Sequence, residues 1–184
     1  MYLSMKQYQK AAMRTSPRDG HDKIDNGVLG LIGETGELVD VLKKYYYQSG
    51  LNPKLLAEKI ADELGDVLWY LAELADGMDM QLIDIAADDF RELDRLTERK
   101  SRRRLNLRNA IMGLSERAQR ICWAVTRYRL KDAAGHMRYM LKAAAHLAHL
   151  AGFTLEQVAQ MNINKLKKRY PDGFDAKKSM ERYE

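Results

Sequence analysis

The sequence predicts an all-α fold, a helical bundle built from two tandem, pseudo-twofold-related repeats, and three observations carry that expectation. Only three prolines in 184 residues, with ten methionines and abundant Ala and Leu, favour helix throughout. Apolar residues recur at three- and four-residue steps, most clearly at Ile60, Leu64, Val67, Leu68, Leu71, Leu74 and Ala75. The second half also echoes the first. Asn26-x-x-x-Gly30-Leu31 matches Asn109-x-x-x-Gly113-Leu114, an offset of 83 that also pairs Leu38 with Ile121, Leu42 with Val125 and Tyr45 with Tyr128. Further on, Leu82, Ile85, Ala86 and Leu93 match Leu155, Val158, Ala159 and Leu166 at an offset of 73, the difference falling in a longer first-copy loop near 48–57.

In chain order, a first helix is expected over 4–15, broken by Ser16-Pro17-Arg18-Asp19-Gly20. A second runs over about 25–47, followed by a loop over 48–53. A third runs over about 53–76, closed by Gly77, and a fourth begins near Gln81. The division predicted is a first repeat at 1–97 carrying an acidic site, a basic linker at 98–108, and a degenerate second repeat at 109–184, together forming one integrated domain. The run Glu98-Arg-Lys-Ser-Arg-Arg-Arg104 lacks interleaved aromatics, so it reads as a solvated link rather than a nucleic-acid contact.

Composition narrows the class further. One cysteine, Cys122, excludes an intramolecular disulfide and fits a reducing cytoplasm. The N-terminus lacks the apolar core of a signal peptide, and no apolar run is long enough to span a membrane. A net charge of +5 is compatible with anionic ligands without identifying one.

Two acidic pairs stand out, Glu34-x-x-Glu37 and Glu63-x-x-Asp66, each in helix-like sequence beside glycine: Gly33, Gly36 and Gly65. Residues three apart share a helix face. Glu63 and Asp66 flank an apolar stripe rather than the opposite, solvent face. Four carboxylates beside a core repel one another, and a divalent cation removes that repulsion; an all-oxygen set suits Mg²⁺ or Mn²⁺. In the second copy the four acids are replaced by Arg117, Arg120, His136 and Tyr139, which cannot bind Mg²⁺. His136, His146 and His149 have no Cys or carboxylate at zinc-ligand spacing and read as packed or surface histidines.

The second copy keeps something else. Asn162 falls on the apolar stripe of Leu155, Val158, Ala159 and Leu166, where an amide is costly unless hydrogen-bonded. Lys165 and Arg169 follow on nearly the same face, and the set suits phosphate oxygens. The first copy has Asp89 and Glu92 at the positions of Asn162 and Lys165. Asp89, also on an apolar stripe, is a candidate fifth metal carboxylate.

These motifs, Tyr8-Gln9-x-x-Ala12-x-Arg14-Thr15, Leu29-Gly30-Leu31-x-Gly33-Glu34-x-Gly36-Glu37, Glu63-Leu64-Gly65-Asp66-Val67-Leu68-Trp69-Tyr70 and Asn162-x-x-Lys165-x-x-x-Arg169-Tyr170-Pro171-x-Gly173-Phe174, resemble the MazG-like nucleoside triphosphate pyrophosphohydrolases. That all-α superfamily includes the dimeric dUTPases. The resemblance covers nearly the whole chain apart from its middle. It implies a hydrolase that cleaves an NTP or dNTP to a monophosphate and pyrophosphate, in nucleotide-pool housekeeping. Glu34, Glu37, Glu63 and Asp66 would hold Mg²⁺ (Mn²⁺ as substitute) and serve catalysis. Asn162, Lys165, Arg169 and Tyr170 would meet the substrate, and Gln9, Asn26, Trp69 and Tyr70 would line the base and sugar pocket.

The chain departs from that pattern in one respect. Family members usually carry the acids and the Asn-Lys-Arg helix in one short domain, assembled from separate subunits; here a degenerate copy lies between them. The losses in the two copies are complementary, which predicts one site shared across their interface, with Lys165 or Arg169 within about 10 Å of the acids. Base preference and further self-association of the chain stay open. The rival reading is a non-catalytic nucleotide- or metal-sensing bundle.

Overall fold

The computed structural model describes residues 2–16, 21–48, 50–100 and 106–175. Eight helices are described: α1 (Met5–Met13), α2 (His21–Tyr47), α3 (Pro53–Gly77), α4 (Leu82–Ala86), α5 (Phe90–Lys100), α6 (Leu107–Val125), α7 (Leu130–Leu150) and α8 (Leu155–Arg169). The fold is all-α, with no strand among the described residues. Among the described residues, no helix is long and apolar enough to cross a membrane.

Local chemistry fixes the helix ends. Ser4 and Gln7 form a capping box at the start of α1, and Thr154 and Gln157 form another at α8. Asn52 caps α3 with Pro53 in its first turn, and Asn106 caps α6. The α3–α4 and α7–α8 connections close alike. Asp79 and Gly152 both have positive φ, and beside them Met80 N donates to Ala75 O as Phe153 N donates to Ala148 O.

The expected single fourth helix is split into α4 and α5. Ala87 takes a left-handed conformation (φ 60°), and the Asp89 carboxylate accepts from Phe90 N at the start of α5. An Ala in that conformation carries no sequence signature, so the break was not legible. Of the predicted linker and the predicted break after α1, residues 101–105 and 17–20 lie outside the described residues.

α3 runs through the middle, packing on α1, α2, α4, α7 and α8. Its whole predicted stripe, Ile60 through Ala75, is buried. α2 and α3 form one antiparallel pair, α6 and α7 another, and α2 lies against α6. The last helix of each half crosses to the other half: α5 packs on α7, and α8 packs on α3. This crossing delivers residues of α8 to the acids of α3.

Candidate functional site

The α2–α3 seam is unusually close at one end. A Cβ at Gly27 would stand 2.9 Å from Leu74 Cβ, and one at Gly30 would meet the Tyr70 ring at 2.1 Å. Toward the other end the seam carries the acids. Carboxylate oxygens of Glu34, Glu63 and Asp66 all lie within 4.8 Å of one another, and all three residues are half-buried. It is the one such His, Cys, Asp and Glu cluster among the described residues. Glu37 is exposed and outside this group of three, yet its charge reaches Glu63. Burial, and then the negative charges of Asp62 and Asp66, push the Glu63 carboxyl above its usual range. Three half-buried, mutually repelling carboxylates with oxygen-only donors fit a hard divalent cation.

α8 reaches this cluster because Gly65 leaves room for it. A Cβ at Gly65 would sit 3.0 Å from Asn162 Cβ. Asn162 is buried and its amide is used at both ends. Its Nδ2 donates to Asp66 Oδ1 (3.1 Å), and its Oδ1 accepts from the buried Tyr8 hydroxyl (3.0 Å). Lys165 Nζ contacts Asp66 Oδ2 at 2.7 Å and Asp62 Oδ1 at 2.8 Å. Burial opposes the Lys165 charge, but Asp66 and Asp62 outweigh it and hold its pKa above the usual value. Burial and the nearby Asp66 raise the Tyr8 phenol well above its usual range, so it stays a neutral donor. Gly33 and Gly36, by contrast, face open space.

Other predicted residues lie elsewhere. Asp89 is not in the acid cluster: its Oδ1 accepts from Met5 N (2.7 Å) and Phe90 N (2.8 Å), which explains a carboxylate on an apolar stripe as a helix-start clamp. The Arg169 guanidinium lies 5.5 Å from the Tyr170 ring centre. Tyr170 is buried, and Arg14 donates to its carbonyl (3.0 Å) and to that of Pro171 (2.8 Å), docking the chain after α8 onto the end of α1. Gln9 is buried and spans the α3–α4 turn, donating to Met80 O and accepting from Leu82 N. It borders a cleft of about 500 Å³ also lined by Lys6, Lys10, Asp76 and Asp79, which none of the four acids lines. Trp69 donates to Thr15 Oγ1 (2.9 Å), stands edge-on to Tyr70, and so ties α3 to the end of α1. Asn26 donates to Glu73 (2.5 Å).

Arg117, Arg120, His136 and Tyr139, the counterparts of the acids expected from the sequence, form no acid cluster. Arg117 stacks on Tyr139, and Arg120 pairs with Glu116. Burial and those two arginines lower the His136 pKa, and burial lowers that of His146, leaving both neutral.

Sequence reasoning missed Asp62 and Glu73. Asp62 had a signal, lying one turn before Asp66 on the same face. Glu73 had another, a carboxylate inside the apolar run Leu71-Ala72-Glu73-Leu74-Ala75.

A model of the MazG nucleotide pyrophosphohydrolase domain matches residues 24–103, the stretch that holds all four acids and Asn26. The Gene 37 protein of Mycobacterium phage L5 is 33% identical over 102 residues, 52% of this chain and 87% of the phage protein. No solved structure matches the chain. With the acids on the seam of an all-helical bundle, inside the matched stretch, the chain belongs to the MazG nucleotide pyrophosphohydrolase family.

Proposed function

We propose that the chain hydrolyses a nucleoside or deoxynucleoside triphosphate to the monophosphate and pyrophosphate, with Mg²⁺ (or Mn²⁺) held by Glu34, Glu63 and Asp66. The observation that carries this reading is the meeting of those three carboxylates with the Lys165 ammonium on Asp66. When bound, the cation supplies charge neutralisation of the phosphates and lowers the pKa of a water. Asn162 and Lys165 hold both oxygens of Asp66, orienting it. Glu37, outside the group of three and exposed beside it, is the carboxylate left to accept a proton from the attacking water. Lys165 offers charge to the transferring and leaving phosphates.

One site of this kind per chain, shared between two tandem repeats, is part of the proposal. Its support is the exchange of α5 and α8 between the halves and the matching turns at Asp79 and Gly152. The lone cysteine supports a cytoplasmic setting. Incubating the purified chain with a panel of NTPs and dNTPs and Mg²⁺ tests the reaction. Monophosphate and pyrophosphate should appear in equal amounts and disappear with EDTA. Release of orthophosphate instead would overturn the pyrophosphohydrolase assignment. Metal-dependent binding without turnover would favour the sensing bundle.

A further inference from the structure

Asp66 is claimed from two sides by α8. Its Oδ1 accepts from Asn162 Nδ2 at 3.1 Å, and its Oδ2 from Lys165 Nζ at 2.7 Å. The same carboxylate belongs to the group of three that fits a divalent cation. A cation held by Asp66 would share that carboxylate with an ammonium, and like charges so placed repel. The lysine charge also reaches Glu63, a second member of the group. Lys165 therefore competes with the metal for the cluster unless another group takes it over.

Of these two partners, the lysine is the one built to yield. Asn162 is buried against Gly65, and its amide oxygen accepts from the buried Tyr8 hydroxyl, so its side chain is fixed at both ends. Lys165 is half-buried, on a long flexible stem, and its three N–H donors let it release one acceptor while keeping another. The other acceptor is in place: Nζ stands 2.8 Å from Asp62 Oδ1. Asp62 lies four residues before Asp66 on the same face of α3, about 6 Å along the helix axis. It is exposed and does not belong to the group of three carboxylates. Asp62 is thus within reach of the lysine but outside the metal set.

We propose that Asp62 is a positioning residue that retains the Lys165 ammonium when a divalent cation takes Asp66; this rests on the metal-dependent reading above. Asp66 and Asp62 form two places for one positive charge. A half-buried ammonium that lost every carboxylate would be left with a desolvation penalty and no compensating partner. Without Asp62, Lys165 would hold Asp66 all the harder against the metal. With Asp62, it gives up one carboxylate and keeps the other, which lowers the cost of letting the metal in. The lysine then stays beside the cluster, released from Asp66, as its role toward the phosphates requires.

Calorimetric titration of the full chain with Mn²⁺ alone, over a double-mutant cycle, tests this. Lys165→Met keeps an unbranched side chain and removes the charge, so it should bind Mn²⁺ about tenfold more tightly than wild type. Asp62→Asn should bind Mn²⁺ about fivefold more weakly. Asp62→Glu, which keeps a carboxylate for the lysine, should restore the affinity to within about twofold of wild type. In the Lys165→Met background, Asp62→Asn should change the affinity by no more than about twofold, because there is no ammonium left to retain. An equal loss in both backgrounds would overturn the inference, since Asp62 would then attract the metal by its own charge. So would a Lys165→Met protein that binds Mn²⁺ no more tightly than wild type. If Lys165→Met does not fold, Lys165→Gln takes its place in the cycle with the same expectations. Wild-type protein that binds no Mn²⁺ would instead overturn the metal reading, and this inference with it.

Discussion

Asp66 has two tasks that its neighbour Glu34 does not share. Both carboxylates belong to the cluster, but Asp66 also accepts from Asn162 and Lys165. Glu34→Gln and Asp66→Asn should therefore both abolish hydrolysis and weaken Mn²⁺ binding, while their stabilities diverge. Without metal, Glu34→Gln removes one of the mutually repelling charges and keeps a hydrogen-bonding side chain, so it should melt above Asp66→Asn. Asp66→Asn loses charge-assisted contacts worth about 1–2 kcal/mol after discounting for partial exposure, a fall in Tm of about 2–8 °C. Calorimetric scans in EDTA separate the two, and equal stabilities would contradict the Asp66 contacts. Lys165→Ala should lower kcat/KM by about 10- to 150-fold, the worth of one charge-assisted contact of roughly 1.5–3 kcal/mol, while Mn²⁺ still binds. The pH response follows from Glu63. Burial first, then Asp62 and Asp66, raise its pKa above that of an ordinary glutamate. A carboxyl raised on folding is most favourable when protonated. Its contribution to metal-free stability therefore improves as pH falls through its folded pKa toward that ordinary value, and worsens above. Metal binding needs the ionised form, so Mn²⁺ affinity should weaken with acid over that same window, measurable by titration at stepped pH.

At the scale of elements, the crossing of α8 onto the first half is secured at its N-terminus. Asp94 of α5 accepts from Leu155 N (2.7 Å) and Glu156 N (3.4 Å), adding to the Thr154 capping box. Asp94→Ala should cost about 1–2 kcal/mol and lower Tm by about 2–8 °C, read by circular dichroism. It should also weaken catalysis, because α8 carries Asn162 and Lys165 to the acids. Most helices were legible because their stripes and caps are local signals: Ser4, Asn52 and Pro53 bracket α1 and α3 as composition suggests. The Glu63-x-x-Asp66 face and its neighbour Glu34 were legible for the same reason, since three-residue spacing on a helix needs no tertiary knowledge, whereas Glu37, expected with them, lies outside the group of three. The role of Asp89 was not. A polar residue on an apolar stripe announces a buried partner without saying which, and its partner proved to be a backbone amide 84 residues away. Glu73 escaped for the opposite reason: amphipathic periodicity assigns its position to the interior and carries no information about the Asn26 amide waiting there.

For the molecule as a whole, the two-repeat reading proposed above makes the halves opposite in chemistry at the positions it pairs. Where the first half has Glu34, Glu63 and Asp66, the second has Arg117, His136 and Tyr139, with the arginine resting on the tyrosine ring. Titration with a non-hydrolysable nucleotide and Mg²⁺ should therefore give one catalytic site per chain; a stoichiometry near two would contradict the shared site. The crossing helix also has a consequence in time. Lys165 reaches Asp66 across 99 residues of chain. At a synthesis rate of about 5–20 residues per second, α3 leaves the ribosome some 5–20 seconds before its partner lysine. Through that interval the nascent protein exposes an acidic, half-covered seam with the counter-charge still unmade. The acid cluster is thus completed last, by the arrival of α8, and a chain interrupted before that helix would carry every acid of the proposed site without the Asn162 and Lys165 contacts to Asp66.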